Sequence, residues 1–163
     1  MRGRLAGLSF LLSVQRSNFL YFLMNRSIVV SLFIGFLTKN GGRNKAELIF
    51  SDLLFSIKRK FKLDPLDVLV GAVERAKPRL ELRPRVIAGT VYKIPSVMKE
   101  GLDSRLAVKW IIESSINRSG KSVSSKLLDE IWDTYSGSSS SVKRRDELHK
   151  LVLANRPLLK YFK

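Results

Sequence analysis

The chain has 163 residues, 45% of them hydrophobic, with 30 Lys and Arg against 14 Asp and Glu, a formal net charge of +16 and a pI near 10.5. That hydrophobic share supports one folded core and excludes a purely disordered basic tail, while self-repulsion at this charge calls for a polyanion or an anionic membrane surface. The absence of cysteine excludes a disulfide framework, a zinc ribbon and a cysteine nucleophile.

Positions 1–46 hold seven basic residues and no acid. Leu5 to Val14, Phe19 to Met24 and Ile28 to Leu37 are strongly apolar. None reaches the roughly 18 uninterrupted apolar residues of a spanning helix, and Asn25-Arg26-Ser27 interrupts the best candidate. Residues 1–26 therefore read as an apolar and basic extension with the composition of an organelle transit segment, or as an ordered extension of a protein made inside the organelle. Residues 27–163 form the domain, with Ile28 to Leu37 as its buried first helix. Insertion of residues 5–37 into a membrane, with a basic domain on the anionic leaflet, is the rival reading.

A second helix is predicted over Asn44 to Phe61. Asn44 and Glu47 have the spacing of a capping box, and Ala46, Phe50, Leu53 and Ile57 fall on one stripe. Lys58, Arg59, Lys60 and Lys62 crowd its C-terminal turn, where cations suit the helix dipole. Asp64-Pro65 is an N-cap followed by proline at the first helical position. The third helix runs from there to about Ala76, with Leu66, Leu69, Val73 and Ala76 inward, and Pro78 stops it.

Lys77 to Pro95 reads KPRLELRPRVIAGTVYKIP. Period-two alternation sets Arg79, Glu81, Arg83 and Arg85 on one face of a strand and Leu80, Leu82 and Pro84 on the other. Ala88-Gly89 turns the chain, and Thr90-Val91-Tyr92-Lys93-Ile94 has the content of a second strand. Pro84 is tolerable because both strands of an isolated hairpin are edges. The arm carries Lys77, Arg79, Arg83, Arg85 and Lys93 against one acid, Glu81, and suits a polyphosphate; the bland alternative is a solvated basic face.

A fourth helix is predicted over Ser104 to Asn117, with Leu106, Ala107, Trp110 and Ile111 inward. The fifth covers Val123 to Tyr135, with Leu127, Leu128, Ile131 and Trp132 inward. Ser136 to Ser141 is a flexible loop by composition. A last helix runs from Val142 to Asn155, limited by Pro157.

His149 is the only histidine, and no further ligands cluster by spacing to make a metal site. A Ser-His-Asp arrangement needs a serine in a constrained turn, which the serine run lacks. Gly41-Gly42-Arg43 lacks the lysine and spacing of a phosphate-binding P-loop. No catalytic residue, metal site or cofactor is expected. Trp110 and Trp132 belong to the core; Tyr92 and Tyr161 are the better stacking candidates. Lys143-Arg144-Arg145 sits at a predicted helix start, where cations oppose the dipole, and that misplacement favours a phosphate partner over a solvated face.

ERAKPRLELRPRVIAGTVYKIP, LAVKWIIESS and SVKRRDELHKLVLANRPLLKYF, taken together and in order, resemble the small-subunit ribosomal protein seven family from about Ile28 to the C-terminus. Lys39-Asn40-Gly41-Gly42-Arg43 is similar to the family's glycine-plus-basic turn. The resemblance implies a mainly α fold, a six-helix bundle with an extended two-stranded β-hairpin at about 79–95 between helices three and four. It implies a primary binder of small-subunit ribosomal RNA in the subunit head beside the tRNA exit site, with neighbouring head and platform proteins and with exit-site tRNA and mRNA near the arm. There are departures: Val86 stands where the family often has an arginine, Ala88 replaces a glycine, Leu102 and Asp103 precede the fourth helix in place of arginines, and Lys160, Phe162 and Lys163 replace the usual His, Arg and Trp. With the transit-like start, these departures point to a mitochondrion, with plastid or bacterial cytosol as alternatives.

The expected RNA-binding set is Arg43, Lys58, Lys60, Lys77, Arg79, Arg83, Arg85, Lys93, Lys109, Lys143, Arg144, Arg145, Asn155 and Arg156. Phosphate contacts would supply most of the affinity and RNA shape the specificity. No small-molecule substrate and no membrane insertion are expected. An architectural DNA binder with a wing-like hairpin is the remaining alternative.

Overall fold

The computed structural model of the protein describes residues 28–87 and 89–161. The extension 1–26, Ala88 of the arm's turn, and Phe162 and Lys163 lie outside them. Six helices and one antiparallel hairpin make up the described fold, the hairpin standing between the third and fourth helices.

The first helix, α1, covers residues 28–37 and buries Val29 and Phe33 in the core. The second, α2 (Arg43–Phe61), buries the predicted stripe of Ala46, Phe50, Leu53 and Ile57. Its expected capping box does not form. The helix starts earlier, with Gly42 as N-cap and no side-chain cap hydrogen bond. The cause is the preceding turn: Asn40 and Gly41 take positive φ, and the Gly42 N–H donates to the Lys39 carbonyl at 3.0 Å. Asn44 is then already inside the first turn, past the capping position, and Arg43 reaches Glu47 at 2.9 Å.

Asp64 accepts from the Leu66 N–H at 3.0 Å and starts α3 (Pro65–Ala76) as predicted. The buried face is wider than expected, adding Val68 and Ala72 to Leu69, Val73 and Ala76, while Leu66 is half-buried. Gly71 lets α3 approach its neighbour closely: a Cβ there would stand 2.8 Å from the Tyr135 ring.

The hairpin joins β1 (Leu80–Ile87) to β2 (Thr90–Val97). Ile87 pairs with Thr90, and Gly89 takes φ +81° in the two-residue turn, a conformation that glycine adopts without steric cost. Ile94, Pro95 and Ser96 are buried at the base, against α6 and the C-terminal 3-10 turn described next; Arg83 to Val86 and Thr90 to Lys93 are exposed.

Three helices complete the bundle: α4 (Leu102–Ile116), α5 (Val123–Ser136) and α6 (Ser140–Ala154), followed by a 3-10 turn over Arg156–Tyr161 that contains Pro157. Helix α5 is central and packs on α2, α3, α4 and α6. Ala107, Trp110 and Ile111 are buried with Val108 and Ile112, and Leu106 is half-buried. Leu127, Leu128 and Ile131 are buried; Trp132 is half-buried and stacks on Phe61 with ring centroids 3.6 Å apart. None of the described helices is long and apolar enough to cross a membrane.

The serine run is not the flexible loop its composition predicts. Ser136 ends α5, Gly137 caps it with positive φ, and Ser139 caps α6 by accepting from the Val142 N–H at 3.3 Å. Ser139 and Ser141 are buried. The Thr134 hydroxyl lies 3.0 Å from that of Ser139, and Ser141 donates to Glu130 Oε1 at 2.8 Å. Serine is as good a cap as a linker, and here its hydroxyls close two helix ends together.

Candidate nucleic-acid interface

The hairpin register settles which arm charges act together. Residues directly opposite in an antiparallel pair share a face. Glu81, Arg83 and Arg85 stand opposite Ser96, Ile94 and Tyr92, whereas Lys93 stands opposite Pro84 on the face of Leu80 and Leu82. Lys93 therefore projects from the side opposite Arg83 and Arg85. A two-residue turn pairs odd positions of β1 with even positions of β2, and that parity was readable from Ala88-Gly89. Arg83 pairs with Glu81, and Arg85 and Lys93 are exposed on the projecting half.

At the arm's root, Lys77 reaches Glu74 at 2.6 Å, and the Arg79 N–H donates to Nε2 of His149 at 3.3 Å. The lone histidine thus ties α6 to the arm as an acceptor. Arg83 and Arg156 meet across an apolar cavity of about 590 Å³ between the hairpin base and the end of α6, together with Lys99, which sequence reasoning did not select. Asn155 serves as the C-cap of α6, its amide donating to the Leu151 carbonyl at 2.8 Å.

Helix α4 carries the next stretch. Arg105 and Lys109, one turn apart and exposed, line a groove with Glu81 of the arm. Lys109 lies 3.8 Å from Glu113, and Arg144 of α6 meets the same carboxylate at 2.8 Å. The Arg144 guanidinium also stands 5.4 Å from the Trp110 ring centroid. A track of cations, Arg83 by the arm base, Arg105, Lys109 and Arg144, therefore crosses from hairpin to α6. Arg105 was missed because a single arginine in an amphipathic helix carries no local signal; its meaning comes from Lys109 one turn on.

The cluster Lys143-Arg144-Arg145 is placed differently from its prediction. Because α6 starts at Ser140, Lys143 closes the first turn and Arg144 and Arg145 lie beyond it, where the dipole penalty has largely faded. Their supposed misplacement is thus no reason for a phosphate. Arg145 donates to the Arg75 carbonyl and reaches Asp146 at 2.6 Å, so it pins α6 to α3. Lys143 is exposed.

Three predicted residues sit apart from this track. Arg43 heads α2, exposed and paired with Glu47. Lys58 and Lys60 lie on the last turn of α2, exposed, with Lys60 at 3.1 Å from Asp129. Tyr92 is partly exposed on the arm, and the Tyr161 side chain lies outside the described set. Among the described residues, no group of three or more His, Asp or Glu side chains is placed to hold a metal ion.

An all-helical core with a basic hairpin at this point in the chain is matched by one family model, described as Ribosomal protein S7p/S5e, over residues 13–156. The chain belongs to this family. Among similar proteins, small ribosomal subunit protein uS7c of Euglena gracilis is 38% identical over 130 residues, 80% of this chain and 83% of the relative. Small ribosomal subunit protein uS7 of Desulfotalea psychrophila is 32% identical over 136 residues, 83% of this chain and 87% of the relative. The uS7 protein of Thermotoga neapolitana is 33% identical over 134 residues, with 82% and 86% covered. The S7p/S5e match thus takes in the arm, the α4 track and α6, and also residues 13–27.

Proposed function

We propose that the protein is a structural constituent of the small ribosomal subunit, acting in translation by binding the subunit RNA and organising its head near the tRNA exit site. Family membership carries this reading: the model matched spans every basic surface described, and the relatives are named small ribosomal subunit proteins. The physical support is the cationic track from Arg83 on the hairpin through Arg105 and Lys109 on α4 to Arg144 on α6. Such cations meet phosphates, and A-form RNA is read mainly by shape and backbone. The role requires no turnover of a substrate.

The arm projects beyond the core and would face exit-site tRNA and mRNA, while neighbouring head and platform proteins flank it. The compartment we assign is the mitochondrion, on the strength of the acid-free, arginine-bearing, apolar start of the sequence; plastid and bacterial cytosol are the alternatives.

High-salt extraction followed by sedimentation tests the assignment. The protein is expected in a large RNA-containing particle, and sequencing of crosslinked RNA should return small-subunit ribosomal RNA. Recovery with lipid, or crosslinks to duplex DNA alone, would overturn it.

A further inference from the structure

Helix α2 carries an apolar face that none of the other described elements covers. Leu48 is 66% exposed and Phe55 is 69% exposed. Asp52 follows Leu48 by four residues and precedes Phe55 by three, so the three share one stripe. It lies opposite the buried stripe of Ala46, Phe50, Leu53 and Ile57. Asp52 is exposed and makes no ion pair with another described residue, whereas Glu47, Glu74 and Asp129 each hold a cation. Lys45 and Arg59 flank the face at its two ends.

The sequence before α1 has the complementary order. Leu5 to Val14 and Phe19 to Met24 are apolar, and Arg16 stands between them. Residues 1–26 carry four arginines and no acid. The described chain begins at Ile28, itself 45% exposed. The turn at 38–42 folds α2 back on α1, and the Phe33 and Phe50 rings meet with centroids 6.0 Å apart. Ile28 lies five residues before Phe33, and Phe55 lies five after Phe50, both away from the turn. At about 1.5 Å a residue, Ile28 stands within about 25 Å of Phe55. Residues 19–27 can span about 30 Å, so the apolar block next to Ile28 reaches Phe55. Further back along the chain, Arg16 comes level with Asp52, and the block from Leu5 to Val14 comes level with Leu48.

We propose that residues 5–24 dock on the outer face of α2. Phe19 to Met24 cover Phe55, Arg16 pairs with Asp52, and Leu5 to Val14 cover Leu48. Docking removes apolar surface from water on both sides. The ion pair, near the surface, sets the register more than the strength. RNA suits this face poorly, because Asp52 at its centre repels phosphate. The proposal does not depend on the ribosomal reading.

The chain has no cysteine, so an introduced pair gives an unambiguous disulfide. In the full chain, Phe55→Cys combined with Phe22→Cys should form an intramolecular disulfide on mild oxidation. Its yield should be at least tenfold above that of Leu151→Cys combined with Phe22→Cys, since Leu151 is also exposed but lies on α6. Adding Asp52→Arg to the first pair should lower the yield several-fold, and adding Arg16→Asp as well should restore it. Equal yields for the two pairs would overturn the proposal. So would a disulfide formed only between molecules, which would make the face a contact between copies. A loss with Asp52→Arg that Arg16→Asp does not reverse would overturn the proposed register. A mature protein that starts after Met24 would overturn the proposal outright.

Discussion

Arg118 places its Nε 2.6 Å from Oε2 of Glu130, a carboxylate with no solvent exposure. The same guanidinium reaches Asp133 at 2.6 Å. Burial works against its charge, but the hydrogen bonds to Asp133 and Glu130 outweigh it and raise its pKa above the ordinary arginine value. Ser141 fills the other Glu130 oxygen, so the loop after α4, the middle of α5 and the start of α6 share one buried acid. Removing one partner of such a pair leaves an uncompensated charge inside. Arg118→Ala should therefore cost roughly 3–5 kcal/mol. Urea unfolding reads this directly, and an unchanged midpoint would contradict it.

Trp110 is buried between α4 and α6, with Arg144 over its ring. Trp110→Ala should lower stability by roughly 3–5 kcal/mol. Thermal unfolding within about 1 kcal/mol of wild type, on the same scale of cavity costs, would reject that placement.

Glu113 holds Lys109 and Arg144 together in the free protein. Bound RNA would find this carboxylate among its phosphates. Glu113→Gln should tighten RNA binding a few-fold while changing stability by less than about 1 kcal/mol, since both ion pairs are exposed. Filter binding beside urea unfolding separates the two effects; weaker RNA binding would contradict the track.

The members of the α6 cluster should behave unequally. Lys143→Gln should weaken RNA binding and leave the fold untouched. Arg145→Gln should lower stability as well, because its guanidinium ties α6 to the Arg75 carbonyl. Equal stability of the two variants would show that this tie has no weight.

Much of the fold was legible because its signals are local. Asp64-Pro65 fixes a helix start by its own side chain and ring, and the stripe from Ala46 to Ile57 needs only the helical period. What escaped depends on neighbours. Asn44 lost its capping role to a turn set by Asn40 and Gly41. The serine run reads as a linker until Thr134 and Glu130 supply partners for its hydroxyls. Of the site, the arm was legible as a basic hairpin, but the side on which Lys93 lies follows from register. Lys99 and Arg105 carry no local signal, and only packing sets Lys99 beside Arg83 and Arg156 and Arg105 beside Glu81.

The arm's projecting half makes few core contacts, with Arg83 to Val86 and Val91 to Lys93 exposed. Deleting Arg85 to Ala88 should leave folding and subunit entry largely intact and alter exit-site tRNA occupancy or translational accuracy. Normal occupancy and accuracy together with failed subunit entry would make the arm an assembly element.

The central claim is that RNA neutralises the +16 charge. The direct measurement is the affinity of the full chain for small-subunit ribosomal RNA at 50 and 200 mM salt. With about six phosphates held, affinity should fall about a thousandfold across that range. A nearly flat dependence would contradict the account.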